Sequence, residues 1–259
     1  MVKLPSLLEM LKAGAHFGHQ KSRWHPKMKE YIFGVRGGVH IIDLECTAEM
    51  LAKALEYAKT LASEGKVILF VGTKRQARDL VKAAAQASGM PYLTERWIGG
   101  MLTNFDEVRR RLKKYRNLKN QFETKEIERY TKKEQLELQK KLATMERYLS
   151  GIAALDRLPD ALYIADLKTE KTAVAEADRK NVPIIAVCDS NTNPIKVRYP
   201  IPANDDAVNS IRLIVDLMAE AVNEGKAEWE KKKAEQAKEI KKIEPAKKER
   251  RALKKEEVV

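Results

Sequence analysis

The stretch Lys66-Val-Ile-Leu-Phe-Val-Gly-Thr-Lys74 decides the fold. Residues 67–71 are apolar without interruption. A half-solvated strand would alternate, so this run predicts a strand buried on both faces, the habit of parallel sheets. A helix is predicted over 74–87, ended by Ser88-Gly89. The unit recurs. Asp160-Ala-Leu-Tyr-Ile-Ala165 precedes a helix over 170–180, and Pro183-Ile-Ile-Ala-Val187 precedes one over 205–223. Buried strands alternating with helices imply parallel pairing and right-handed crossovers, so the expected architecture is a three-layer, doubly wound α/β domain with a mostly parallel sheet.

Working outward, Ser6-Leu-Leu-Glu9 has the capping-box spacing and opens a short helix ending near Gly14. Tyr31–Val35 and Val39–Ile42 flank Arg36-Gly37-Gly38, a hairpin signal. Apolar residues at 51, 54, 55, 58 and 61 make a helical stripe, which Glu64-Gly65 stops. One segment breaks the βα rhythm. Thr103 is placed to cap a helix carrying Val108, Leu112, Tyr115, Leu118 and Phe122. Thr131-Lys-Lys-Glu134 is a second capping box, opening a helix with Leu138, Leu142, Met145, Leu149 and Ile152. These heptad-like seams predict an inserted antiparallel helical hairpin. The expected organisation is therefore a discontinuous α/β domain (1–102 and 151–225), the hairpin (103–150) and a charged C-terminal tail (226–259). In that tail Trp229, Ile240, Ile243 and Leu253 are too sparse for a core, so it reads as disordered or partly helical.

The charge is placed unevenly. The 259 residues hold 50 Lys plus Arg against 37 Asp plus Glu, a formal +13. Residues 1–40 carry 7 basic and 2 acidic side chains, 106–150 carry 14 and 8, and 226–259 carry 13 and 8. Positive regions around a near-neutral frame point to a polyanion, because each phosphate met by Lys or Arg releases condensed counterions. No run approaches the ~20 apolar residues of a membrane span. Cys46 and Cys188 are far apart and outside any CxxC, which fits a reducing cytosol and excludes a cysteine zinc ribbon.

Enzymatic motifs fare poorly. Gly72-Thr-Lys74 lies where doubly wound folds bind phosphates, but neither GxGxxG nor GxxxxGK[ST] is present. His16-Phe-Gly-His19 resembles the HxGH signature of class I aminoacyl-tRNA synthetases, yet its partner lysine loop is missing. There is no GxSxG elbow. The RNA-contact candidates are Lys21, Arg23, Trp24, Lys27, Lys29, Arg36, Lys74, Arg75, Arg78, Arg96, Arg109, Arg110 and Lys113. Cations mixed with tryptophans suit phosphate contact and base stacking. His25, Asp189, Asn193 and Asp205 form a candidate quartet for a single divalent cation, Zn²⁺ with the imidazole or Mg²⁺ on oxygens alone. Two rivals stand beside RNA binding: a nucleotide-dependent α/β enzyme using Gly72-Thr-Lys74, and a coiled-coil docking scaffold.

Seven stretches resemble one family in its order: Gly14-Ala-His-Phe-Gly-His19, Trp24-His-Pro-Lys-Met28, Tyr31-Ile-Phe-Gly34, Phe70-Val-Gly-Thr-Lys74, Arg96-Trp-Ile-Gly-Gly-Met-Leu-Thr-Asn104, Leu158-Pro-Asp160 and Asn204-Asp-Asp-Ala207. They are similar to the bacterial ribosomal protein S-two family of the small subunit, from about Leu7 to Gly225. His25 departs from the Asn-Pro of many members, which favours a metal there. The resemblance implies a flavodoxin-like sheet and a structural, non-enzymatic protein of the cytoplasmic ribosome. It implies small-subunit ribosomal RNA and neighbouring ribosomal proteins as partners, possible docking of the large mRNA-binding protein S-one, no required cofactor, no membrane and no small-molecule substrate.

Overall fold

A computed structural model describes residues 2–256, with side chains to Ala234. The main sheet has five parallel strands: β4 (Ile68–Val71), β5 (Tyr92–Leu93), β6 (Ala161–Ile164), β7 (Ile184–Cys188) and β8 (Tyr199–Pro202). Their order, β5-β4-β6-β7-β8, reverses direction between β4 and β6, the flavodoxin-like winding. Alternation explains the continuous apolar runs. Ile68, Phe70, Tyr163, Ile185 and Val187 enter one core, while Leu69, Val71, Leu162, Ile164 and Ala186 enter the other.

On the first face pack α1 (Leu7–Ala13), α2 (Leu44–Ser63), α3 (Arg78–Ser88) and α7 (Val208–Glu256). The second face is covered by α6 (Lys171–Arg179) and by residues of α4 (Phe105–Glu123) and α5 (Lys132–Leu149), two helices that follow β5 and precede β6. Val108, Leu112, Tyr115 and Leu149 are buried, whereas Leu138 is only half-buried. A second, antiparallel sheet, β1-β3-β2, comprises β1 (Phe17–Gln20), β2 (Ile32–Arg36) and β3 (Val39–Ile42). Gly37 and Gly38 turn β2 into β3 with φ of 58° and 78°, values that side chains disfavour.

Local signals set several boundaries. Both capping boxes form, Ser6 with Glu9 and Thr131 with Glu134. Asn204 caps the turn before α7 by accepting from the amides of Asp206 (2.8 Å) and Ala207 (3.2 Å). Thr103 does not cap α4; Asn104 holds that position, and Thr103 bonds Glu176 instead. β1, β5 and β8 lack a clear sequence signal. β5 has two residues, and β8 reads Tyr-Pro-Ile-Pro, tolerable only at a sheet edge.

α7 does not end at Asn223 as expected. It passes Gly225, where any side chain would collide with the Lys59 carbonyl of α2. Lys226 then bonds the Gly89 carbonyl (3.1 Å) at the end of α3, and Trp229 covers Gly65. The first turns of the charged segment thus dock on the body, and Trp229, which the sequence analysis set apart from any core, packs against it. The side chains after Ala234 and residues 257–259 lie outside the described residues.

Candidate nucleic-acid interface

The reversal between β4 and β6 is where a doubly wound sheet usually opens a ligand crevice at its strand ends. Here the chain fills that place itself. After β4, the Thr73 amide (3.1 Å) and hydroxyl (2.5 Å) both donate to Glu170 Oε1. A carboxylate therefore sits on the donors a phosphate would need. Lys74 Nζ meets Asp205 and Asp206, each at 2.7 Å, and Asp166 at 3.4 Å. Burial works against the Lys74 charge, but the hydrogen bonds it donates to Asp205 and Asp206 outweigh this and raise its pKa. Burial pushes Asp205 up to about 7, with the charges of Asp166 and Asp189 adding to the shift.

His19 ties the small sheet to this cluster. Its Nδ1 lies 3.1 Å from Asp189 and its Nε2 3.5 Å from Asp206. The hydrogen bond to Asp189 is the main reason its pKa rises. The His19 amide also donates to Ser190 Oγ at 2.8 Å. Sequence reasoning met His19 in the HxGH comparison and in the family resemblance, and in neither were its partners Asp189 and Asp206 visible, about 170 and 187 residues along the chain.

Two of the predicted phosphate contacts are therefore occupied. Lys74 is consumed by carboxylates, and Arg78 donates to the Thr73 carbonyl (3.2 Å) beside Glu95 (3.5 Å). The helix starts at Arg78 rather than residue 74, so Gly72-Thr-Lys74 does not face free helix amides. Of Lys74, Arg75 and Arg78, only Arg75 is exposed.

The cation quartet is not gathered either. His25 Nδ1 accepts from the Lys27 amide and Asn193 Oδ1 from the Ile195 amide, each at 3.2 Å, as caps of short 3₁₀ turns. Both line a cavity of about 320 Å³ that also holds Lys168, Lys171 and Lys196. Asp189 and Asp205 turn instead to His19 and Lys74. Among the described residues, the group with metal-compatible spacing is His19, Asp205 and Asp206, whose ligand atoms lie within 4.8 Å of one another.

A second carboxylate, missed from sequence, fixes the Arg96–Asn104 loop. Glu176 of α6 accepts from Trp97 Nε1 (3.0 Å), from the amides of Gly100 (2.8 Å), Leu102 (3.0 Å) and Thr103 (3.2 Å), and from the Thr103 hydroxyl (3.1 Å). Burial would raise its pKa, but these bonds hold it below the ordinary carboxylate range. One signal was available: Glu176 lies on the inward stripe of α6 with Ala173 and Ala177. Trp97 is thus a core residue, while neighbouring Arg96 is exposed.

The remaining candidates face outward. Lys21, Arg23, Lys27, Lys29 and Arg36 are exposed along the 3₁₀ turns that follow β1 and at the end of β2, with Trp24 half-buried among them. No ion pair reaches these five cations among the described residues. On α4, Arg109 and Arg110 face Asp106 and Glu107 at 3.8 and 3.5 Å in exposed pairs, and Lys113 is exposed. Such pairs are worth roughly 0–1 kcal/mol, so they yield to a phosphate. Arg116 and Arg147 differ: Arg116 binds Asp156 at 2.8 Å and the Ala153 carbonyl at 2.6 Å, and Arg147 binds Glu95 at 2.8 Å.

An exposed cationic surface on a frame with a filled crevice is what a protein that rests on RNA needs. The sequence pattern of the family described as Ribosomal protein S2 matches residues 10–225. The chain belongs to that family. Its relatives include the small ribosomal subunit protein uS2 of Coprothermobacter proteolyticus, 46% identical over 85% of this chain and 82% of the relative. Another is the small ribosomal subunit protein uS2 of Dehalococcoides mccartyi, 47% identical over 85% of this chain and 89% of the relative. The protein is a structural component of the small ribosomal subunit and serves translation. No helix among the described residues is long and apolar enough to cross a membrane.

Proposed function

We propose that the protein holds folded ribosomal RNA of the small subunit by phosphate contacts from two outward surfaces. One is the Lys21–Arg36 segment; the other is the exposed face of α4 with Arg109, Arg110 and Lys113, joined by Arg96 and Arg75. The separation of free from consumed cations carries this reading: those surfaces are unpaired or weakly paired, while Lys74 and Arg78 are bonded within the protein. Phosphate contacts position a protein on RNA, and folded shape supplies most of the specificity. The reading includes no catalysis, because Glu170 occupies the donors at Thr73 and the Lys74 charge is already neutralised. It places the protein on cytoplasmic ribosomes. Neighbouring ribosomal proteins, the large mRNA-binding protein S-one among them, would meet exposed apolar side chains such as Phe33.

Gradient sedimentation across a salt series tests the proposal. Wild type should travel with small subunits, and Arg109→Glu combined with Arg110→Glu should dissociate at lower salt. Unchanged incorporation would remove α4 as an RNA arm. Micromolar binding of ATP or NAD in calorimetry would favour the nucleotide-enzyme rival. For the divalent cation, we propose His19, Asp205 and Asp206 in place of the expected quartet, with Lys74 competing for the same carboxylates. Metal analysis of wild type and His19→Ala decides it; metal in neither would end the idea.

A further inference from the structure

We propose that Trp24 is a stacking platform for one unpaired nucleotide of the ribosomal RNA, whose flanking phosphates lie on Lys21 and Arg23. This deepens the RNA reading above and rests on it.

The three tryptophans have different fates. Trp97 is buried and its indole N–H is bonded to Glu176. Trp229 packs over Gly65 and carries Lys233 at 4.7 Å from its ring. Trp24 is half-exposed among the exposed cations Lys21, Arg23 and Lys27; among the described residues these have no ion pair, and no cation lies over its ring, unlike that of Trp229. One side of its ring is already supported, because His40 lies against it with centroids 5.1 Å apart and planes 32° apart. His40 is 5% exposed, and burial lowers its pKa, with Lys21 adding to the effect. It therefore backs the indole as a neutral ring, adding no charge that would compete for phosphates.

The platform is held in place before any ligand arrives. The Lys21 amide donates to the Gly38 carbonyl (2.9 Å) and the His25 amide to the Ser190 carbonyl (2.8 Å), so both ends of the Lys21–His25 segment are pinned. Trp24 follows a 3₁₀ turn in extended conformation, φ −70° and ψ 159°. The adjoining hairpin tip is bare: a side chain added at Gly37 or Gly38 would meet nothing within 4 Å. A pre-positioned aromatic with an accessible side and nearby cations is the chemistry by which proteins grip unstacked bases. A base inside an A-form stack hides its faces, so the indole selects a splayed or terminal nucleotide. Stacking of this kind is worth roughly a tenfold or greater change in affinity.

Two measurements test this. Ultraviolet crosslinking of intact wild-type small subunits, with adducts mapped by mass, should place a ribosomal-RNA nucleotide on Trp24. In parallel, ribosomal RNA is titrated with wild type, Trp24→Phe and Trp24→Ala across a salt series, with folding checked by melting. Trp24→Ala should bind roughly tenfold more weakly at an unchanged salt slope, since no phosphate contact is lost, and Trp24→Phe should recover most of the loss. If Trp24→Ala does not fold, the wild-type crosslink decides alone. Absence of an RNA adduct at Trp24, or a protein adduct there instead, overturns the platform while cation-driven binding stands. Failure of wild type to bind ribosomal RNA at all would overturn the underlying reading instead.

Discussion

The strand-end edge of the main sheet and the outer surface of the small sheet are both rich in cations, yet they treat charge in opposite ways. At the edge, Lys74 faces Asp166, Asp205 and Asp206, and the Thr73 donors hold Glu170. Around the small sheet Lys21, Arg23, Lys27, Lys29 and Arg36 are exposed, and Glu30 is the one acidic residue in the sequence between them. Counting basic residues therefore overstates the RNA surface. A cation that has met its anion inside the fold supports architecture, and only the unmet remainder can attract phosphates.

The sharpest way to break this contrast is to remove the ammonium from the edge. Lys74→Ala would leave Asp166, Asp205 and Asp206 facing one another without their cation. A loss of about 3 kcal/mol is expected in urea unfolding, in the range measured when one partner of a buried pair is deleted. RNA affinity of the folded fraction should not move. A well-folded Lys74→Ala protein that bound RNA more weakly would place Lys74 on the RNA side.

Glu176 offers a second, smaller test of the carboxylate role. Glu176→Gln puts an amide among five donors, and a loss of about 2 kcal/mol is expected by thermal melting. The pH dependence has a definite sign. Because the folded pKa lies below the ordinary 4.5, the Glu176 contribution is complete above that value and fades as pH falls through the folded one. Wild type and Glu176→Gln should therefore converge in stability in acid, and parallel curves would contradict this role.

The smallest effects sharpen the other side of the contrast. Lys21→Glu or Arg36→Glu should leave the melting temperature within a degree or so, since exposed unpaired cations add little stability. Each should reduce the slope of log affinity against log salt by about one. A large drop in melting temperature would show that these side chains serve the fold.

Much of the fold was legible because its signals are local. The runs at 67–71 and 161–164 alternate between two cores, and that double burial is why they read as continuous. The capping boxes at Ser6 and Thr131 needed only three residues of context. The site was less legible because its partners are distant in sequence. Lys74 meets Asp205 across 131 residues, and Thr103 meets Glu176 across 73. Sheet order brings these together, and no spacing rule reveals it. Lys74 thus looked like a phosphate ligand and Thr103 like a helix cap, whereas Lys21, Arg23, Lys27, Lys29, Arg36, Arg109, Arg110 and Lys113 are exposed.

Lysine acylation, read by mass in the free protein and in intact small subunits, tests the division most directly. Lys74 should resist modification in both states. Lys21, Lys27, Lys29 and Lys113 should react readily in the free protein and become protected in the subunit. Ready acylation of Lys74 in the folded free protein, together with unprotected Lys21, Lys27, Lys29 and Lys113 in the subunit, would contradict the account.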